Sequence, residues 1–182
     1  MGSNTLCQGV YTLLDDIVKY MPSPENRKVA GINMKNKEIF EANYDFSKSK
    51  SGFIFKTIVD PFIGKYSLVK ICSGVFKTDD MLLNSERDIE EKIGKLYVMQ
   101  GNKTFEVAEA HAGDIIALAK LSDAQTGDSL GTKAAPIMYT KADISKPYTY
   151  KRYYVKNKAD MDKVSQSLQK MTHEDLTLRV EN

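Results

Sequence analysis

The sequence predicts a mainly β protein: a closed antiparallel β-barrel, preceded by one helix and followed by a partial α/β module. Three observations carry this. Short runs rich in Ile, Val, Phe and Tyr recur between 29 and 118, separated by turn residues at roughly ten-residue intervals. Two of these runs, on either side of Asp60-Pro61, keep no polar/apolar alternation, as expected of strands buried on two sides. Near both ends the apolar period changes from that of a strand to that of a helix.

In chain order, Val10, Leu13, Leu14, Ile17, Val18 and Met21 form one helical stripe, and Pro22 and Pro24 stop it. Residues 25–50 are mostly polar, with apolar touches at 29–32 and at Ile39-Phe40 that predict an exposed edge hairpin. Residues 53–76 are the centre of the barrel. Gly64 and Gly74 stand there where a bend, a bulge or a close backbone approach needs a residue without Cβ. Thr78-Asp79-Asp80 turns the chain into the short run 81–83. Residues 92–99 and 105–107 flank Gln100-Gly101-Asn102, a hairpin signal, and 114–118 is a further buried strand. Ala112-Gly113-Asp114 and Thr126-Gly127-Asp128 read as tight turns whose carboxylates cap backbone N–H groups. Pro136 and Pro147 bracket a linker. Beyond it, 149–155 reads as a strand, Met161, Val164, Leu168 and Met171 mark one helical face with Asp160 as N-cap, and 176–180 reads as a last strand.

Composition narrows the function classes. With 182 residues, 42% of them hydrophobic, the chain can bury one good core and part of another. Lys and Arg number 26 against 24 Asp and Glu, an excess too small to mark a nucleic-acid binder, although a local basic patch is compatible with it. The only cysteines, Cys7 and Cys72, and the only histidines, His111 and His173, follow no disulfide or zinc spacing, so no metal site is expected and a reducing compartment is. No apolar run is long enough to cross a bilayer as a helix, and the N-terminus lacks the order of a signal peptide.

Asn157-Lys158-Ala159-Asp160 spells the N-K-x-D pattern with which GTPases select guanine. That pattern works beside a G-x-x-x-x-G-K-S/T phosphate loop, and the sequence has none. Asn157, Lys158 and Asp160 are therefore expected to be ordinary residues of a helix start. Cys72 reads as a small buried hydrophobe rather than a nucleophile, since no base sits predictably near it, and His111 as a surface or loop residue.

The motifs FKTIVDPFIGKYSLVKICSGVFKTDD from Phe55, HAGDIIALAKL from His111 and TGDSLG from Thr126 occur in one order and spacing. In that they resemble the second domain of elongation factor G and its paralogues among the translational GTPases. Asp60, Pro61, Gly64, Ser73, Gly74, Gly113, Asp114, Gly127 and Asp128 are the structural residues of this resemblance. The preceding GVYTLLDDIVKYMPSP is similar to the last helix of the family's GTPase domain, and ADMDKVSQSLQKMTHEDLTLRV to the opening of its third domain. The resemblance thus implies a GTPase-domain helix at 1–24, a translation-factor barrel at 25–134, a linker at 135–147, and a truncated β-α-β start of a ferredoxin-like domain at 148–182. Lys70 and Cys72 replace the usual Arg and Tyr, and Leu176 a usual Pro, which fits a diverged paralogue as well as the translocase itself.

For function, the resemblance implies that the barrel contacts small-subunit ribosomal RNA and couples the GTPase domain to distal domains during elongation in the cytoplasm. Lys56, Lys65, Lys70 and Lys77 are the phosphate-contact candidates, each equally at home as a solvated strand lysine. The chain itself is expected to be no enzyme; GTP and magnesium would belong to the GTPase domain. A ferredoxin-like sheet places its third strand between the first two. Residues 149–155 and 176–180 are accordingly expected to pair with each other or to recruit a second copy of the chain, with Val164 and Leu168 packed on apolar surface. A self-standing barrel adaptor that binds RNA or protein is the alternative.

Overall fold

The computed structural model describes residues 2–23, 27–60, 64–101 and 103–181. Pro61, Asn102 and the expected boundary between 24 and 25 lie outside them. Helix α1, Val10–Tyr20, is followed by strands β1, Ala30–Asn33, β2, Ile39–Glu41, β3, Ser51–Asp60, β4, Gly64–Ser73, and β5, Val75–Lys77. Then come β6, Met81–Asn84, β7, Ile89–Lys92, β8, Leu96–Gln100, β9, Lys103–Val107, and β10, Glu109–His111. β11, Ile115–Ala119, β12, Ser129–Gly131, β13, Ile137–Met138, and helix α2, Met161–Glu174, complete the described elements.

The main sheet has eight strands in the order β7-β6-β12-β3-β4-β11-β8-β9. Every pairing in it is antiparallel. The separate β5–β10 pair ties the chain leaving β9 to the chain entering β6, which curls the sheet back on itself. Ile54, Val69, Ile71, Phe76, Leu82, Leu96, Ile116, Leu118 and Leu130 fill the space inside. β1, β2 and β13 form a second, three-stranded sheet outside, over Ala42, Cys72, Ile137 and Tyr139. This explains the lost alternation in the central strands. In β4, Val69 and Ile71 face the barrel interior while Cys72 is buried beneath the outer sheet, so both faces are apolar.

Both glycine expectations in the central strands hold. Gly64 has φ +94° at the start of β4, and Gly74 has φ +73° with an added Cβ falling 2.8 Å from Lys50 Cα. The edge hairpin forms as β1–β2, and Gln100 pairs with Lys103 around the expected turn at Gly101. The expected strand 92–99 is broken, because Ile93 leaves the ladder to insert its side chain in the core while its backbone bonds Asp79 and Asp80. The expected linker 135–147 contains strand β13, which pairs with β1; Pro136, with no N–H to donate, stands just before it and its carbonyl accepts Met34 N at 2.8 Å.

The C-terminal expectation is corrected more deeply. Residues 149–155 and 176–180 form no strand and pair neither with each other nor with another described strand, so the stretch 148–182 is a helix with extended flanks and no β-α-β unit among its described residues. A strand needs a ladder to satisfy its backbone groups, and the described residues of this chain supply none to either run. Helix α2 instead packs along β3, where Glu174 Oε1 accepts Val59 N at 2.7 Å, with Val164 and Leu168 half-buried. Helix α1 buries none of its residues: Leu13, Leu14, Ile17, Val18 and Met21 of the predicted stripe are exposed.

Candidate nucleic-acid interface

The structure separates the four candidate lysines into two kinds. Lys65 and Lys70 point along the barrel wall and each spends its ammonium on a carbonyl, of Ala124 and of Gly113 respectively. Burial pulls the Lys65 ammonium below its ordinary pKa despite Glu91, Asp123 and Asp128 nearby. Lys70 Nζ also lies 5.2 Å from the Tyr44 ring centroid. Both are half-buried structural cations. Lys56 and Lys77 are exposed. Lys77 carries a surface ion pair with Glu109 at 3.2 Å, a contact weak enough for a phosphate to displace. The Lys56 ammonium has no hydrogen-bond or ion-pair partner among the described residues. It follows Phe55, the extra residue of a β-bulge, since Ile54 pairs with Val69 and Lys56 with Leu68.

The motif residues hold the barrel rather than a reaction centre. Asp114 Oδ2 accepts His111 N at 2.8 Å, closing the turn through Gly113 as expected. Ser73 Oγ donates to Ser49 O and shares a hydrogen bond with Ser51, which in turn bonds the Tyr139 hydroxyl at 2.6 Å. Asp128 caps Gln125 N at 3.0 Å, after the turn through Gly127, but does far more than cap. It is buried and also accepts Asn84 Nδ2 at 2.9 Å, Arg87 Nε at 2.7 Å and Lys141 Nζ at 3.2 Å. Burial alone would raise its pKa; the hydrogen bonds from Asn84, Arg87, Gln125 and Lys141 outweigh it and hold the carboxyl below the ordinary range. Glu91 similarly accepts the backbone N–H groups of Ser122, Asp123 and Ala124, fixing the loop between β11 and β12. Nothing local in the chain marks Asn84, Arg87 or Glu91, whose partners lie some thirty to forty-four residues away.

Asn157, Lys158 and Asp160 lie on a 3-10 turn leading into α2, with none of its residues buried. Neither Asn157 nor Asp160 makes a side-chain capping bond; Asp160 instead faces Lys163 at 3.6 Å, so the expected N-cap is a position without the expected bond. Cys72 is 4% exposed and burial pushes its thiol up to about 11, the state of an unreactive core thiol. His111 is exposed and packs edge-on against Phe46, ring centroids 5.6 Å apart.

Between the segment that leaves α1 and the outer face of β3 and β4 lies a groove of about 740 Å³, which no motif in the chain announces. Tyr44, Phe53 and Phe55 supply aromatic walls, and Arg27, Lys28 and Lys70 are its charges; no carboxylate lines it among the described residues. The bulge turns Phe55 outward, leaving it 39% exposed. The F-x-F spacing at 53 and 55 is legible only as strand, and the other walls come from distant positions.

Residues 49–133 match the family model described as Elongation factor G domain 2. A crystal structure of a protein from Thermus thermophilus is similar at TM-score 0.69 and 26% sequence identity, over 95% of this chain and 24% of that one. The chain thus spans about a quarter of that relative's length, and the similarity reaches beyond the barrel into both flanking segments.

Proposed function

We propose that the chain, whose residues 49–133 match the family model of elongation factor G domain 2, is the ribosome-contacting barrel, with flanking segments, of an elongation factor G-like translational GTPase. The observation that carries this reading is the family match over the span that holds the whole eight-stranded sheet. On its surface Lys56 presents an ammonium unpaired among the described residues and Lys77 a weakly paired one, both suited to phosphates of small-subunit ribosomal RNA. Lys65 and Lys70 act from within, setting the strand geometry that positions them. The exposed stripe of α1 is the surface on which a GTPase domain would pack, and α2, seated on β3, would carry motion towards distal domains. GTP and magnesium would be held by that GTPase domain. The work is that of a translation factor and belongs in the cytoplasm. Among the described residues no helix is long and apolar enough to cross a membrane.

Cosedimentation with purified small ribosomal subunits tests this. The chain is expected to pellet with the subunits, more weakly as salt rises, and the double variant Lys56→Glu, Lys77→Glu to bind roughly tenfold more weakly. Absence of binding at low salt, or equal binding by the double variant, overturns it.

A further inference from the structure

Resting on the reading of RNA as partner, we propose that the groove between residues 27–30 and the outer face of β3 and β4 takes an unstacked nucleotide of single-stranded RNA. Its volume of about 740 Å³ admits a nucleotide with its phosphates. Phe53 and Phe55 line it, Phe55 exposed on its bulge and Phe53 half-buried and edge-on to Tyr139, and Tyr44 stands beside Lys70, whose ammonium lies 5.2 Å from its ring centre, so Phe55 is the platform for a base. Aromatic platforms of this kind hold bases with little regard to sequence. Among the described residues, all charges lining the groove are positive; Arg27 and Lys28 are exposed at its rim, while Lys70 sits half-buried in its wall. The groove is therefore complementary to an anion that carries an aromatic plane, and a neutral apolar peptide would leave its cations unmatched.

The chemistry continues past the groove. Thr140 lines it, and the chain that follows has no regular structure up to Lys158 and is exposed apart from half-buried Val155. Between 144 and 156 it holds Lys146, Lys151, Arg152 and Lys156 with four exposed tyrosines, 148, 150, 153 and 154, and no Asp or Glu. Basic and aromatic residues interleaved on an accessible backbone form the second part of a track for a single strand, with the groove as its anchor. A duplex, whose bases are stacked and paired, cannot place a base on Phe55.

The test uses the 182-residue chain and a short single-stranded RNA carrying one 2-aminopurine, with a hairpin duplex of the same composition for comparison. Binding is expected to quench the aminopurine, to favour the single strand over the duplex, and to weaken roughly tenfold in Phe55→Ala, whose side chain is partly exposed on the bulge. Arg27→Ala, Lys28→Ala is expected to flatten the salt dependence, with circular dichroism confirming the fold of each variant. Equal affinity for the duplex, affinity unchanged in Phe55→Ala, or binding of an apolar peptide with none of the single strand would each overturn the proposal. Small subunits that pellet with the chain while the oligonucleotide fails to bind would sink this inference and leave the ribosome reading standing. Failure to pellet with small subunits would sink that reading.

Discussion

Replacing Gly74 by alanine should cost the barrel more than any other single methyl addition at a turn. Gly74 has φ +73°, and an ideal Cβ there would lie 2.8 Å from Lys50 Cα, 3.0 Å from Lys48 O and 3.0 Å from Lys50 N. All three are backbone atoms of the segment that enters β3, which cannot swing away as a side chain end would. Left-handed strain contributes about 1–2 kcal/mol, and forcing extra volume into a packed site about 1–3 kcal/mol, so a loss of roughly 3 kcal/mol is expected. For a domain of this size that is a fall in Tm of about 6–12 °C. The control is Gly64→Ala, which has φ +94° but nothing within 4 Å of its Cβ, so that only the strain of about 1–2 kcal/mol remains. Gly94→Ala, with open space and no left-handed φ, should be neutral or slightly stabilising. Urea denaturation followed by far-UV circular dichroism, with the slope checked for constancy, ranks the three. If Gly74→Ala and Gly64→Ala lose the same stability, the steric argument is refuted.

The buried Asp128 should be as sensitive chemically. Asp128→Ala leaves Arg87 without its partner at the barrel wall and is expected to lose about 3–5 kcal/mol in the same urea assay. Because its pKa is lowered in the folded state, its contribution is present above the ordinary carboxylate value near pH 4 and is lost as pH falls through the lower folded value. The wild-type urea midpoint should drop on acidification below about pH 4 more steeply than that of Asp128→Asn. Of the two thiols, exposed Cys7 should react with a chromogenic disulfide in the native protein while buried Cys72 reacts only in denaturant; rapid native reaction of both would contradict the burial. Asn157, Lys158 and Asp160, on a surface turn with no phosphate loop in the sequence, should confer no selectivity for guanine: a fluorescent guanine nucleotide should be retained no better than its adenine counterpart, and saturable binding at micromolar protein that excess ATP fails to compete, and that Asp160→Ala abolishes, would contradict that.

What the residues disclose depends on whether a neighbour in sequence or a neighbour in space decides the outcome. The central strands are legible because their β-branched and aromatic runs and the demand at Gly74 are all local. The hairpin at Gly101 is legible for the same reason. A strand at 149–155 is not, although its residues have strand character, because a strand exists only with a partner and the described residues of this chain offer none. The isolated turn chemistry of Asp128 is visible, but Asn84 and Arg87, which decide its charge state, come from β6 and the turn after it. Lys65 and Lys70 cannot be told from Lys56 by type or spacing; the carbonyls of Ala124 and Gly113 that occupy them are 59 and 43 residues on.

The same geometry explains where this barrel can bind anything at all. Along β4 the wall's own carbonyls claim strand lysines: Ala124 O takes the Lys65 ammonium and Gly113 O that of Lys70. The exposed cations of the groove, of the basic stretch and of the candidate set stand where regularity breaks. Lys56 follows a bulge, Lys77 lies in a two-stranded edge, Arg27 and Lys28 precede the first strand, and Lys146 to Lys156 lie in a stretch without ladders. A net charge of +2 over 182 residues therefore conceals a division of labour, with carboxylates such as Glu91 and Asp128 drawn into the frame as acceptors and cations left outside at its irregularities. Binding that follows this division should track the local positions of those cations and remain indifferent to charge added elsewhere on the regular wall.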